Sequence, residues 1–143
     1  MRDWLDKAGV EIRNAPEPEL QFNYIVSLNS RKVRVYQERR DPQYICLQTI
    51  FMFTDHDNKI ISCHQKGVSS LIRDLRIHLA MLGMHFSGIS FPLEKVFISK
   101  KVLITDQFNE YEFSSALDRV EAAWVIFTEV VTGYGESPSS ESK

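Results

Sequence analysis

Cysteine is scarce in this chain. Cys46 and Cys63 are the only two among 143 residues, and no C-x-x-C spacing joins them, which excludes a disulfide framework, a cysteine zinc site and a thioredoxin-like redox pair. If they lay on neighbouring strands joined at 55–58, antiparallel register would pair positions summing to about 113 and set Cys63 opposite Ile50, not Cys46. Two free thiols are expected. No apolar run reaches the ~18 residues needed to span a bilayer, and the start MRDWLDKAGVEIR lacks the apolar stretch of a signal peptide. The expectation is a cytoplasmic protein with no membrane partner. An excess of one charge is missing too. The 17 Lys+Arg against 19 Asp+Glu leave a net charge of −2, so no global field draws the chain to nucleic acid, which is not expected as a partner. There is no glycine-rich phosphate loop, no G-x-S-x-G and no internal repeat.

What the sequence does hold is periodicity. At 43% hydrophobic and 25% charged, the length suits one domain with one core, here 1–135, and ESPSSESK over 136–143 has nothing to bury and is expected to be disordered. In 68–86, Val68, Leu71, Ile72, Leu75, Leu79, Leu82 and Phe86 recur with a 3.6-residue period, which predicts a central helix lying on a sheet. Ile77, Met81 and Met84 gather on its far side, beside Ser70 and Arg73. That second apolar face needs a second partner: the C-terminal helix of the same chain, a second copy, or a polypeptide, since methionine suits surfaces that accept varied partners.

Before this helix, Trp4, Leu5 and Ala8 share one side of a short helix that Asp3 can cap and Gly9 can stop, and Pro16 and Pro18 break 14–19 into a linker. Leu20, Phe22, Tyr24, Val26 and Leu28 alternate with polar residues as a first strand. Val33 and Val35 do so again across an Asn29-Ser30 turn, and 44–54 is nearly continuously apolar, as a strand covered on both faces. Residues 55–59 read as a turn, and 59–63 either pairs back or leads into the helix. After a break at Gly88 and Pro92, Val96, Ile98, Val102 and Ile104 keep one phase, as two strands or one bent at the lysines. Asn109 and Glu112 have capping-box spacing, and Phe113, Leu117, Val120, Trp124, Phe127 and Val131 follow as a second long amphipathic helix over 109–132.

The order helix, three strands, long helix, two strands, long helix is similar to the type III secretion chaperone fold, in which helices pack on one face of a twisted antiparallel sheet. Trp4-Leu5, the run 96–105 leading into Asp106-Gln107-Phe108, and Glu112-Phe113 with Leu117 and Val120 resemble a mainly archaeal family catalogued only as a domain of unknown function. The likeness covers residues 1 to about 133. It implies an α+β fold with a sheet of about five strands in α-β-β-β-α-β-β-α order and, for chaperone relatives, a dimer that holds a polypeptide. The chain lacks the acidic charge of true secretion chaperones.

Candidate chemistry is thin. If 59–64 is extended, His56 and His64 are roughly 26 Å apart, and on one helix His78 and His85 are about 10.5 Å apart along the axis, so no metal site is expected and no cofactor. Asp55-His56-Asp57-Asn58 lacks the glycine and the bidentate glutamate of a calcium loop. Cys63 and His64 would point to opposite faces of a strand, and Asp118 with Glu121 lies on the polar face of a helix. Arg31, Lys32 and Arg34, Arg39 and Arg40, and Lys100 and Lys101 form small basic clusters near Tyr36 and Tyr44, a mix that strand-face RNA binders use and that edge strands also carry to prevent pairing. The sequence therefore reads as a non-catalytic protein-interaction or chaperone-like module, homodimeric, with Ile77, Met81 and Met84 as the partner face. The alternative is a small enzyme or ligand-binding domain using Cys63, His64 and His78.

Overall fold

The alternation of period two in residues 20–38 becomes an antiparallel hairpin that the rest of the sheet extends. The computed structural model describes residues 2–7, 10–28, 31–64, 67–134 and 139–141. They form α1 (Arg2–Lys7), β1 (Glu11–Asn14), β2 (Leu20–Leu28), β3 (Arg31–Glu38), β4 (Tyr44–Met52), α2 (Asp55–Ser62), α3 (Gly67–Met81), β5 (His85–Ser87), β6 (Lys95–Leu103), α4 (Glu110–Thr132) and β7 (Ser139–Glu141). The strands lie in the order β1-β2-β3-β4-β6-β5, with β7 alongside β4, and every pair is antiparallel. The class is α+β, as expected.

Register decides which side chains meet the helices. Val26 opposes Val33, Val35 opposes Leu47, and Phe51 opposes Val96, and all of these join one core with Leu71, Leu75 and Leu79 of α3 and Phe113, Val120 and Phe127 of α4. Phe127 stacks on Phe51 with ring centroids 4.1 Å apart. Burial of each such side chain contributes ~1.5–3 kcal/mol, so the β4–α4 contact is a principal tie between sheet and helix layer. The opposite sheet face is covered by its own long side chains: the Arg34 guanidinium sits 4.3 Å from the Tyr36 ring centroid and donates to Asn23 Oδ1 at 2.9 Å.

Several boundaries differ from the sequence expectation. Residues 55–62 are a helix, not a turn followed by an extended segment. Thr54 caps it, its Oγ1 accepting from Asp57 N at 3.1 Å while Asp57 Oδ2 accepts from Thr54 N at 2.7 Å, and a reciprocal capping box starts a helix with few apolar residues. The central helix stops at Met81, not Phe86. Gly83 takes φ 70°, and the bonds from Met84 N to Leu79 O (3.1 Å) and from Gly83 N to Ala80 O (3.0 Å) form a Schellman stop. β1 was not expected because Ile12 is its one strongly apolar residue. β6 runs unbroken through Lys100 and Lys101. The expected disordered tail over 136–143 falls mostly outside the described residues, but 139–141 pair with 50–52 of β4, where the β3 register, which reaches only Gln48, leaves that strand's backbone open; backbone pairing needs no apolar side chain.

Candidate functional site

The outer face of α3 is where apolar side chains meet solvent. Its inner residues Leu71, Leu75 and Leu79 are buried at steps of four, and the Gly83 stop fixes what lies beyond. Ile77 is 48% exposed and Met81 80%, whereas Met84 is only 5% exposed. Met84 is therefore a core residue and leaves the predicted partner face: the glycine turns the chain inward before it, so helical periodicity no longer applies. α4 does not cover Ile77 or Met81.

A loop completes the face. Between β5 and β6 the chain passes through Ile89 and Leu93, both buried, and carries Phe91 between them, 48% exposed. Three ties hold this loop: Arg76 donates to Ile89 O at 2.8 Å, Asn58 exchanges two bonds with the Leu93 backbone at 2.7 and 2.8 Å, and Phe53 N donates to Glu94 O at 2.8 Å. Gly88 is needed at its start, since at φ 81° an added Cβ would collide with Lys95 O. The result is a groove of about 400 Å³ lined by Val68, Ser69, Ile72, Arg73, Arg76, Ile77 and Phe91. Phe91, Arg76, Val68 and Ile72 were not assigned to it from sequence. Val68 and Ile72 were read as core, and the one available signal for Phe91 was a large apolar residue inside a Gly/Pro break.

Cys63, His64 and His78, the residues of the alternative reading, stand at or just past the C-terminal ends of α2 and α3. Cys63 caps the C-terminus of α2, with its thiol free and exposed. His64 turns its ring to Tyr134, 5.0 Å away, and Tyr134 holds α4 to α3 through Ser70 Oγ at 2.9 Å and Asp74 Oδ2 at 2.8 Å. Burial first, and then Asp74, push the Tyr134 phenol above its ordinary range, against the opposing pull of the Ser70 bond. His78 Nδ1 lies 2.7 Å from Asp74 O in its own helix, and His85 stands on β5, not on that helix. Among the described residues no group of three His, Cys, Asp or Glu side chains is placed to hold a metal. No described helix is long and apolar enough to cross a membrane. The basic clusters are largely engaged: Arg34 with Glu17 at 3.4 Å, Arg40 with Glu38 at 2.8 Å, Lys101 with Asp41 at 3.8 Å, and Arg31 over the Trp124 ring at 4.2 Å.

Residues 1–131 match the family described as uncharacterized conserved protein DUF2299. The chain belongs to that family. The solved structures include an uncharacterized protein from Methanothermobacter thermautotrophicus with the same fold, at a TM-score of 0.80 and 18% identity over 94% of this chain and 96% of that one. No curated protein matches the sequence. Several of the residues that carry the resemblance pack the scaffold: Trp4 lies against Phe108 at 5.5 Å and Phe113 at 5.9 Å, tying α1 to the start of α4, and Val120 is fully buried.

Proposed function

We propose that the protein is a non-catalytic interaction module, chaperone-like in architecture, that works as a homodimer joined through the outer face of α3. The observation that carries this is the meeting of Ile77 with Phe91 in one groove, Phe91 standing on a loop that ties to Asn58, Arg76 and Phe53 hold in place, with Met81 exposed one helical turn beyond Ile77. A monomer has little reason to hold an apolar residue rigidly in water, and such patches mark interaction sites. A two-fold axis at Ile77 would set it against its own counterpart and lay each Met81 along the aliphatic stem of the other copy's Arg73, so the surface is self-complementary. Two unpaired cysteines support a reducing, cytoplasmic setting.

Light scattering after size exclusion tests this. Over a wide concentration range the parent is expected at about 33 kDa, twice the 16.6 kDa chain. Ile77→Asp and Met81→Asp are expected at 16.6 kDa, with association weakened roughly a hundredfold, the equivalent of about 3 kcal/mol for a buried carboxylate. A parent that stays monomeric throughout refutes the proposal.

A further inference from the structure

The sheet has a free edge beside an apolar groove. β5 pairs with β6 only from His85 opposite Ser99 to Ser87 opposite Phe97, and no described strand lies beyond Ser99 on that side. The phase of β6 is fixed by Ile104 N donating to Gln43 O at 2.7 Å and by Phe53 N donating to Glu94 O at 2.8 Å. Even-numbered residues therefore exchange backbone bonds with β4, and the N–H and C=O groups of Lys101 and Leu103 point outward from the open edge. Between this edge and the first turns of α4 runs a groove of about 430 Å³, lined by Val102, Leu103, Tyr111, Ser115 and Ala116, with Lys100 and Arg119 around it against Glu112 and with Lys101 shared with Asp41 at 3.8 Å. Tyr111 is 79% exposed and Leu103 stands half in solvent.

We propose that this edge accepts an extended, acidic segment of a partner polypeptide as an added strand. The backbone of Lys101 and Leu103 would supply the hydrogen bonds. Every second side chain of the segment would enter the groove against Tyr111 and Ala116, in the β-augmentation mode. Charge selects the occupant. Lys100 and Arg119 each reach a carbonyl of the 82–83 turn by one long bond, 3.5 and 3.4 Å, which leaves both cations at the groove for carboxylates. A second copy pairing antiparallel about this stretch would set Lys101 against its own counterpart or against Lys100 of the other copy, and like charges facing each other across strands are unfavourable. Lysines on an open edge also serve to discourage pairing of any kind, and the experiment separates the two roles. The surface is distinct from the α3 face, so a monomeric Ile77→Asp variant keeps it.

The test titrates full-length protein with a fluorescent heptapeptide of alternating valine and glutamate, and with its lysine-for-glutamate counterpart, while NMR follows amide exchange. The acidic peptide is expected to bind at least tenfold more tightly than the basic one and to slow exchange at Lys101 and Leu103. Leu103→Pro removes one edge donor without touching the β4 ladder, and Lys100→Glu/Lys101→Glu reverses the charge; each is expected to weaken binding tenfold or more. Tyr111→Ala, on an exposed helix position that leaves folding intact, is expected to weaken it severalfold. Absence of binding, protection elsewhere than Lys101 and Leu103, or equal affinity for both peptides overturns the proposal. So does a dimer that Leu103→Pro dissociates, which would assign the edge to a second copy.

Discussion

Asn58→Ala is expected to cost between about 3 and 6 kcal/mol. The side chain is buried and makes three bonds: Nδ2 to Leu93 O at 2.7 Å, Nδ2 to Thr54 O at 3.0 Å, and Oδ1 from Leu93 N at 2.8 Å. Each bond nets ~1 kcal/mol, and leaving the backbone of the fully buried Leu93 unpaired adds up to ~3 kcal/mol more. Domains of this size have ~5–15 kcal/mol in total, and with a urea slope near ~2 kcal/mol/M the midpoint should fall by about 1.5 M or more. Asn58→Asp sharpens the test. It keeps the acceptor for Leu93 N–H but sets a carboxylate oxygen against two carbonyls, so the new carboxyl is held above its unfolded value of about 3.9. A group raised on folding gives its full contribution below the unfolded pKa and loses it as pH rises through the folded one. The aspartate variant should therefore approach the parent near pH 3.5 and fall behind by pH 7, while the alanine deficit stays flat. An alanine variant within 1 kcal/mol of the parent, or an aspartate deficit independent of pH, would refute the reasoning.

Other outcomes follow from the same geometry. Native protein should expose one reactive thiol: Cys63 reacts with a disulfide reagent at pH 8, whereas Cys46, buried and with its thiol pushed up chiefly by that burial, reacts only after denaturation, and Cys63→Ser abolishes the native reaction. Tyr36, pushed up to about 12 chiefly by burial and next by Cys46, is neutral in the fold. Its contribution to stability is complete below the unfolded value near 10 and is lost as pH rises through about 12, so Tyr36→Phe should flatten stability over that window, read by urea titration at several pH values. Met84→Ala should cost ~2–5 kcal/mol as a core truncation, while Met81→Ala in dilute protein stays within ~0.5 kcal/mol.

Strands β2 and β3 and helix α4 are legible because their apolar residues largely keep one period, and β4 because its apolar run is nearly continuous. Asn109 caps α4 as its spacing implied, accepting from Glu112 N at 3.0 Å. α2 was hidden because Asp55, His56, Asp57 and Asn58 look like a turn when the reciprocal Thr54–Asp57 bonds are unknown, and the long-range role of Asn58 depends on Leu93, 35 positions away. The end of α3 was misread because Met84 and Phe86 extend the apolar phase of the helix by coincidence: one is pulled in by the Gly83 turn, the other by pairing opposite Ile98. The candidate face was half legible. Ile77 and Met81 follow from helical spacing, but Phe91 joins them only through the loop's tertiary ties, which no local pattern encodes.

Both proposed surfaces trace to the brevity of β5. The chain reaches the sheet from the helix layer through the Gly83 turn, which delivers it opposite Ser99 and no further along β6, so the backbone of Lys101 and Leu103 is left open beside α4. It leaves again at Gly88 after three residues, so the return to Lys95 must be made by a loop outside the sheet, and burying Ile89 and Leu93 on its inner side turns Phe91 outward beside Ile77. A longer β5 starting earlier would pair the open edge, and one ending later would draw Phe91 into the sheet. Of the residues that carry the family resemblance, Trp4, Phe108, Phe113 and Val120 fix the packing of α1 and α4, while the run 96–105 and Glu112 include the lining of the open edge. The proposed edge therefore lies within the stretch that carries the resemblance and the α3 face with Phe91 outside it, and both turn on the residues around this one short strand.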